Sequence, residues 1–412
     1  MERDLAALTD REHDLLVVGG GIVGAAIAWD AAQRGLSVAL VEARDFCSGA
    51  SWNSLKTIHG GLRHLQHLDI GGLRESMRER RALLTIAPGL VRPLEFLVPA
   101  YGNGLRGAVA LGLGVALADL LTPDRNRGVP TDAAIGSSRR LGSADVLARV
   151  PGLSAQGLTG GVTWTDAQVT SSERLVLAFL HSAAHEGAVL ANHVEVTGLS
   201  REGGRVTGAE ALDHHGRSRV GIRARFVVNA AGARLDPVLA RSGIERLGVP
   251  QLSGLNLVLG RPLPVPMAVG GRADGRFLFV VPWNGRTLVG TDYAPPAQAG
   301  RPQAFLHTAR RAFPWAGLSS DQVELVHRGL VPGRDGRALW SRHRLVDHAA
   351  TDGTLGLLSV VSVKLTTARG VAEAVVDRVL ARLEHRGAAC RTAHTPLRQG
   401  GPETGDAEAR AS

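Results

Sequence analysis

The apolar positions of this chain follow two periods, and the switches between them mark its elements. The run at 15–18 is continuously apolar and ends in three glycines, residues 22–34 carry small and apolar side chains at helical spacing, and 37–41 is apolar again. Short apolar runs bounded by glycine read as buried strands, so strand, turn, helix and strand predict a parallel βαβ unit. Helices are expected at 72–87 (stopped by Pro88), 144–150 (stopped by Pro151), 171–186 and 366–382. Residues 107–121, apolar but broken by glycines, are expected to form a buried or interface helix. That segment is too short to span a bilayer, although shallow membrane contact stays open. Further strands are expected at 94–99, 189–199, 206–212, 225–232 and 355–363, with a hairpin at 160–169. Residues 255–259, 277–282 and 287–290 alternate like antiparallel strands of a second sheet. The fold class is α/β: a parallel-sheet domain plus a domain built on an antiparallel sheet.

Gly19, Gly21 and Gly24 have the G-x-G-x-x-G spacing between that first strand and its helix, and Glu42 ends the second strand. The glycines serve a tight turn, close backbone approach to a pyrophosphate and close helix–sheet packing. The acid accepts hydrogen bonds from a ribose. A Rossmann-type dinucleotide site follows, for FAD or NAD rather than NADP, with Arg44 the single basic neighbour. Its place near the start of the chain favours FAD. The strand at 225–232 runs into a small-residue turn, as a second close backbone approach to the dinucleotide requires.

At 412 residues, 44% hydrophobic and 21% charged, the chain has the composition of a two-domain globular protein. Cys47 and Cys390 cannot make a disulfide framework, and the polar residues 1–13 do not read as a signal peptide, so a reducing cytoplasm is expected. The net charge of +9 comes from scattered arginines without a basic, aromatic-interleaved run, which excludes a nucleic-acid partner. Arg74, Arg78, Arg80 and Arg81, alternating with Glu75 and Glu79, are expected on a solvated helix face. Attraction to acidic lipid headgroups or an anionic substrate stays open. Lys56 and Lys364 are the two lysines among 47 basic residues, and both are expected near the flavin, where a compact ammonium differs from a guanidinium. The polar loop after Glu42, with Ser51, Ser54, Lys56, Thr57, His59 and Arg63 closely spaced, is too rich in donors for a simple connection. Residues 398–412 are expected to be disordered.

With these motifs the chain resembles the FAD-dependent glycerol-3-phosphate dehydrogenases, within the D-amino-acid-oxidase-like flavoproteins. The likeness runs over roughly residues 14–398 and rests on the glycine-turn unit, on K-x-I-H-G-G-L-R at 56–63, and on the segments at 164–177, 227–238, 279–293 and 357–373. It implies a discontinuous FAD-binding domain (14–75, 155–240 and 325–385) and a substrate domain (76–154 and 241–324). It implies that Gly19, Gly21, Gly24 and Glu42 hold the ADP half, that Val196 approaches the adenine, and that Ala230 to Gly232 approach the ADP moiety. Ser54, Lys56, Thr57, His59, Gly60 and Gly61 match the loop along the flavin, and Lys364, Leu365 and Thr366 the segment beside its ring.

The implied activity is hydride transfer from C2 of glycerol 3-phosphate to flavin N5, giving dihydroxyacetone phosphate, with electrons passing to quinone or another acceptor. Arg63, Arg342 and Lys364 match substrate-side cations. At other positions the chain departs from the family. His64 replaces a tyrosine, Asn256 a histidine that could act as base, and Val331 a phosphate-binding arginine; Arg328 or Arg334 could restore that charge. His64, Asn256, Arg63, Arg342 and Lys364 are thus the catalytic candidates. Two alternatives stay open: oxidation of another 2-hydroxy acid or amine, and a flavin-binding protein without its own small substrate. The expected location is the cytoplasm, with peripheral contact at the inner face of the membrane left open.

Overall fold

The computed structural model describes residues 2–102, 104, 107–334 and 339–399 of the protein. Its strands sort into two sheets, each the centre of a compact unit. The first unit draws on the chain up to Ser51, on Ser171–Val249 and on the described residues from Ser341 onward; the second on Trp52–Thr170 and Pro250–Trp340.

In the first unit, parallel strands lie in the order Leu357–Val361, Ser218–Asn229, Glu12–Val18, Val38–Val41 and Val189–Ala191, with Arg344–Asp347 antiparallel at one edge. Val38–Val41 and Leu357–Val361 are buried at every position, as expected of strands covered on both faces. Helix Ile22–Gln33 packs with helices Ser172–His185 and Ala368–Leu383, and Trp29 meets Phe179 edge-on at 5.5 Å. Strands Val194–Glu202 and Arg205–Asp213 pair antiparallel with each other, the latter also with the first half of Ser218–Asn229. Their apolar side chains join Leu16, Val18 and Val227 in one core.

In the second unit the sheet order is Val323–Pro332, Gln251–Leu259, Arg286–Ala294, Arg276–Trp283, Ala268–Ala273, Val91–Tyr101, Leu158–Val169 and Thr57–Ile58. Adjacent strands are antiparallel, except that Ala268–Ala273 runs parallel to Val91–Tyr101. Phe305 and Phe313, from helix Pro302–Ala312 and its end, pack with Leu257, Leu278 and Val280.

Five features differ from the sequence reading. Residues 160–169 belong to one strand, Leu158–Val169, not a hairpin. A Cβ on Gly160 would stand 2.4 Å from the Leu141 carbonyl oxygen and one on Gly161 2.9 Å from Val146, so these glycines permit close strand packing rather than a turn. Residues 52–75, 155–170 and 325–340 fall in the second unit, because the strands within them hydrogen-bond into its sheet. Arg80 and Glu79 are buried, not solvated, since Arg80 turns inward to Asp166. Helix Ala108–Leu121 buries only Ala108, Val115 and Ala118. Of the expected disordered tail, Arg398 donates its backbone N–H to Ser182 Oγ at 2.9 Å, and residues from 400 on lie outside the described residues.

Candidate functional site: a dinucleotide cradle and an arginine-bearing sheet face

The opening strand delivers the chain into Gly19 at φ +113, a conformation that side chains rarely adopt. A Cβ there would lie 2.7 Å from the Ala230 carbonyl oxygen, and one on Gly24 only 1.9 Å from the Gly19 oxygen. The first and third glycines therefore let the turn press against both its helix and the Ala230 turn. Gly21 is the extended N-cap of helix Ile22–Gln33 and supplies no capping side chain. The Ile22 amide donates to Ser51 Oγ at 3.0 Å. Glu42, half-buried at the end of its strand, accepts the Gly20 amide on Oε2 at 2.7 Å and the Arg44 amide on Oε1 at 2.9 Å. It ties down the glycine turn as well as ending the strand that a ribose would meet.

Ser51 comes from the donor-rich loop singled out in the sequence, whereas Asn229 was missed as a site residue. Buried Asn229 donates to the Leu235 carbonyl at 3.1 Å and accepts the Ala231 amide at 3.3 Å, which shapes the Ala230 to Gly232 turn. The signal was a polar residue closing an apolar strand. Lys364 and Leu365 are half-buried and Thr366 buried, in the turn between strand Leu357–Val361 and helix Ala368–Leu383. That helix begins without a capping side chain or an acid in its first turn. Arg342 is exposed just before the edge strand. Val196 has its side chain in the core, so only its backbone can reach a nucleotide.

The cradle thus gathers Gly19, Gly21, Gly24, Glu42, Ala230 and Gly232 at the carboxyl ends of parallel strands, with Lys364 to Thr366 following the next strand over. A dinucleotide fits it. The glycines leave backbone where a side chain would fill the space, the long helix presents its positive end, and a carboxylate ends the second strand.

In the second unit Asp166 organises the loop that carries most of the remaining candidates. Its Oδ1 accepts the Gly60 amide at 2.7 Å and pairs with Arg80; its Oδ2 meets His59 Nδ1 at 3.3 Å and accepts Trp164 Nε1 at 3.1 Å. Burial opposes its ionisation, but the His59 hydrogen bond and the Arg80 charge outweigh that and hold the carboxyl well below the usual carboxylate range. His59 Nε2 faces Thr57 Oγ1 at 2.9 Å. Lys56, fully buried at φ +61, donates from Nζ to the Trp52 carbonyl at 2.8 Å. Its ammonium lies 5.9 Å and 5.5 Å from the ring centres of Trp52 and Trp283. The Ser54 carbonyl faces His327 Nδ1 at 3.4 Å. His64 is wedged where a Cβ on Gly61 or Gly72 would strike its ring, with Nδ1 2.8 Å from Asp69 Oδ2.

Gly254 and Asn256 alternate onto one face of their strand, and Thr291 and Tyr293 share a face of the neighbouring one. Thr291 Oγ1 donates to Asn256 Oδ1 at 2.6 Å, and a Cβ on Gly254 would lie 3.0 Å from the Tyr293 ring. Tyr293 is 40% exposed overall, and the desolvation its neighbours impose on the phenol raises its pKa, against a Thr291 hydrogen bond and the Arg63 charge. Arg63 is exposed, and no carboxylate among the described residues pairs with it. A phenol, a threonine and a carboxamide on one sheet region, with the Arg63 charge felt at the phenol, can bind an anion and orient a hydroxyl. Thr291 and Tyr293 lie in the 279–293 segment that carries the resemblance but were not named there as site residues; the strand register brings them to Asn256.

Comparison with known proteins agrees with this geometry. Residues 14–378 match the family described as FAD dependent oxidoreductase. A glycerol-3-phosphate dehydrogenase from a Synechocystis species is 32% identical over 96% of this chain and 75% of its own length. The enzyme of that name from Mycobacterium leprae is 34% identical, over 90% of this chain and 63% of its own. The X-ray structure of glycerol-3-phosphate dehydrogenase from Bacillus halodurans, complexed with FAD, matches with a TM-score of 0.74 and 27% identity, across 98% of this chain and 72% of that one. The chain therefore spans 63% to 75% of the length of these relatives. With the glycine turn, Glu42 at the end of the second strand and the Ala230 turn gathered together, the chain belongs to the FAD dependent oxidoreductase family, as an enzyme whose cofactor is FAD.

Proposed function

We propose that this enzyme oxidises glycerol 3-phosphate to dihydroxyacetone phosphate. The observation that carries the reading is the 32% identity, along 96% of the chain, with a protein named for that reaction. FAD, when bound, supplies the acceptor for the C2 hydride at N5. Gly19, Gly21, Gly24, Glu42, Ala230 and Gly232 hold its ADP half, and Lys364 to Thr366 supply positive potential beside its ring. Arg63 binds the phosphate, with Tyr293 beside it. Asn256 and Thr291, locked to each other, orient the substrate hydroxyls. The hydroxyl proton leaves to His59. With Nδ1–H directed at the ionised Asp166, Nε2 is the accepting nitrogen, reached directly or through Thr57 Oγ1.

The acceptor that reoxidises the enzyme is a quinone in this reading, and the protein works in the cytoplasm, peripheral to the inner face of the membrane. Anaerobic addition of glycerol 3-phosphate to the FAD-loaded protein should bleach the visible flavin band. Bleaching by another 2-hydroxy acid or by an amine, but not by glycerol 3-phosphate, would transfer the enzyme to that substrate.

A further inference from the structure

Asp352, His348 and Ser359 of the first unit form a hydrogen-bonded line, in the order in which a hydrolase sets out acid, base and nucleophile. His348 opens the short helix His348–Thr351, and Ser359 lies within strand Leu357–Val361. His348 Nδ1 is 2.6 Å from Asp352 Oδ2, and its Nε2 is 2.8 Å from Ser359 Oγ. Asp352 Oδ1 accepts the Thr354 amide at 3.0 Å. Burial works against the Asp352 charge, but the bonds from His348 and Thr354 outweigh it and hold the carboxyl below the usual range. An ionised carboxylate can only accept, so Nδ1 donates to it, and Nε2 and the serine hydroxyl share the second hydrogen bond. His348 and Ser359 are both 0% exposed, so this hydroxyl meets no substrate and the line is not a hydrolytic site.

Its place in the sheet gives it another use. Ser359 pairs with Asn229 on one side and Val346 on the other, and Asn229 in turn lies beside Val18. Val18 and Asn229 are the last residues of their strands, followed at once by Gly19 and Ala230 of the cradle. Ser359 is likewise the last residue of its strand to pair with Ser218–Asn229. Beyond it Val360 and Val361 pair with the edge strand, opposite Leu345 and Arg344. Lys364 lies five positions past Ser359. The helix after that turn is tied to the same corner, since Arg382 Nε donates to Asp347 Oδ2 at 2.9 Å, one residue before His348. Paired residues share a face of the sheet, so Ser359 and Asn229 set polar groups among Val227, Leu357 and Val361 of the apolar core. A hydroxyl buried there needs a hydrogen bond, and that of Ser359 goes to His348.

We propose that His348 is a positioning residue for the flavin. Held by Asp352 and holding Ser359, it fixes the level at which strand Leu357–Val361 leaves the sheet, and with it the place of Lys364 to Thr366. Without that hold the turn shifts and its positive charge draws back from the ring. Reduction adds negative charge to the ring, so a retreating cation favours the oxidised form. The inference rests on the placement of Lys364 to Thr366 proposed above and not on the identity of the substrate.

The test is an anaerobic redox titration of the FAD-loaded protein, with its visible spectrum, its FAD dissociation constant and its thermal melt. Ser359→Ala and His348→Leu should each lower the midpoint potential, shift the visible flavin band and weaken FAD binding about three- to tenfold. His348→Gln, which offers an acceptor to Ser359 and a donor to Asp352, should restore most of each. Val360→Ala opens a cavity on the opposite face of the same strand and should lower Tm while leaving potential and spectrum at the parent's values. Lys364→Ala should lower the potential by itself; a parent-like potential in that variant would remove the ring placement and this proposal with it. A shift in Lys364→Ala, but only a lower Tm in Ser359→Ala and His348→Leu, would overturn the role of His348 and spare the ring placement. An equal shift in Val360→Ala would assign the effect to strand packing, and a glutamine variant no closer to the parent than the leucine one would break the line; either overturns the proposal.

Discussion

Asp166→Asn separates the two tasks of the most connected buried carboxylate in the second unit. Arg80 and Asp166 have side chains 2% and 3% exposed, so the substitution strands a guanidinium in the interior. Breaking a buried pair from one side costs about 3–5 kcal/mol, because the remaining charge loses its compensation. An asparagine also sets an N–H₂ against one of the donors now aimed at the two carboxylate oxygens, Gly60 N–H, Trp164 Nε1 or Arg80. A loss near the middle of that range, in a unit of roughly 200 residues, lowers Tm by about 8–16 °C. The pH dependence follows from the depressed folded-state pKa. The stabilisation is fully present above the unfolded carboxyl value of about 3.9 and is lost as pH falls from there toward the folded value. Thermal melts from pH 7 to pH 3 should therefore show a constant gap between parent and variant above about pH 5 that narrows in acid. Arg80→Met with Asp166→Leu should recover much of the stability but not turnover, since nothing then holds Gly60 and His59. A variant melting within about 2 °C of the parent, or a gap that does not narrow in acid, would refute the reasoning.

Arg63→Ala should abolish turnover while leaving FAD bound; loss of flavin from the purified variant would reassign Arg63 to the cofactor. Gly24→Ala places a Cβ 1.9 Å from the Gly19 oxygen and should yield protein largely free of flavin, so a full complement measured by absorbance would contradict the cradle. Lys364→Arg keeps the charge but should slow flavin reduction in anaerobic stopped-flow, and parent-like kinetics would remove the argument for a lysine. Tyr293→Phe should raise KM about tenfold or more, about 1.5–3 kcal/mol for one lost hydrogen bond to a charged group, with kcat nearly kept. An unchanged KM would take Tyr293 off the substrate.

The cradle was readable because its determinants are local. Gly19 to Glu42 lie on one strand–helix–strand unit, and Gly19 and Gly24 answer clashes with the adjoining Ala230 turn and within that unit. The parallel strands were readable for the same reason, as solid apolar runs. The antiparallel unit was less so: glycines at 160 and 161 looked like a turn when they serve close packing, and helix Pro302–Ala312 was not anticipated. Arg80 looked solvated because alternation of charge on a helix does not reveal which side chain meets a distant acid.

The sequence by itself determined a Rossmann-type nucleotide turn, its acid, and a second sheet of alternating strands, because glycine stereochemistry and side-chain periodicity act within a few residues. Only the tertiary structure decided that Asp166 would hold Gly60 and Arg80, 106 and 86 residues away along the chain, and that Tyr293 would join Asn256. It also decided that the apolar helix Ala108–Leu121 would face outward. Those outcomes depend on strand register and on which buried charge finds a partner, and both are settled by the free energy of the whole packed unit rather than by any local run of residues.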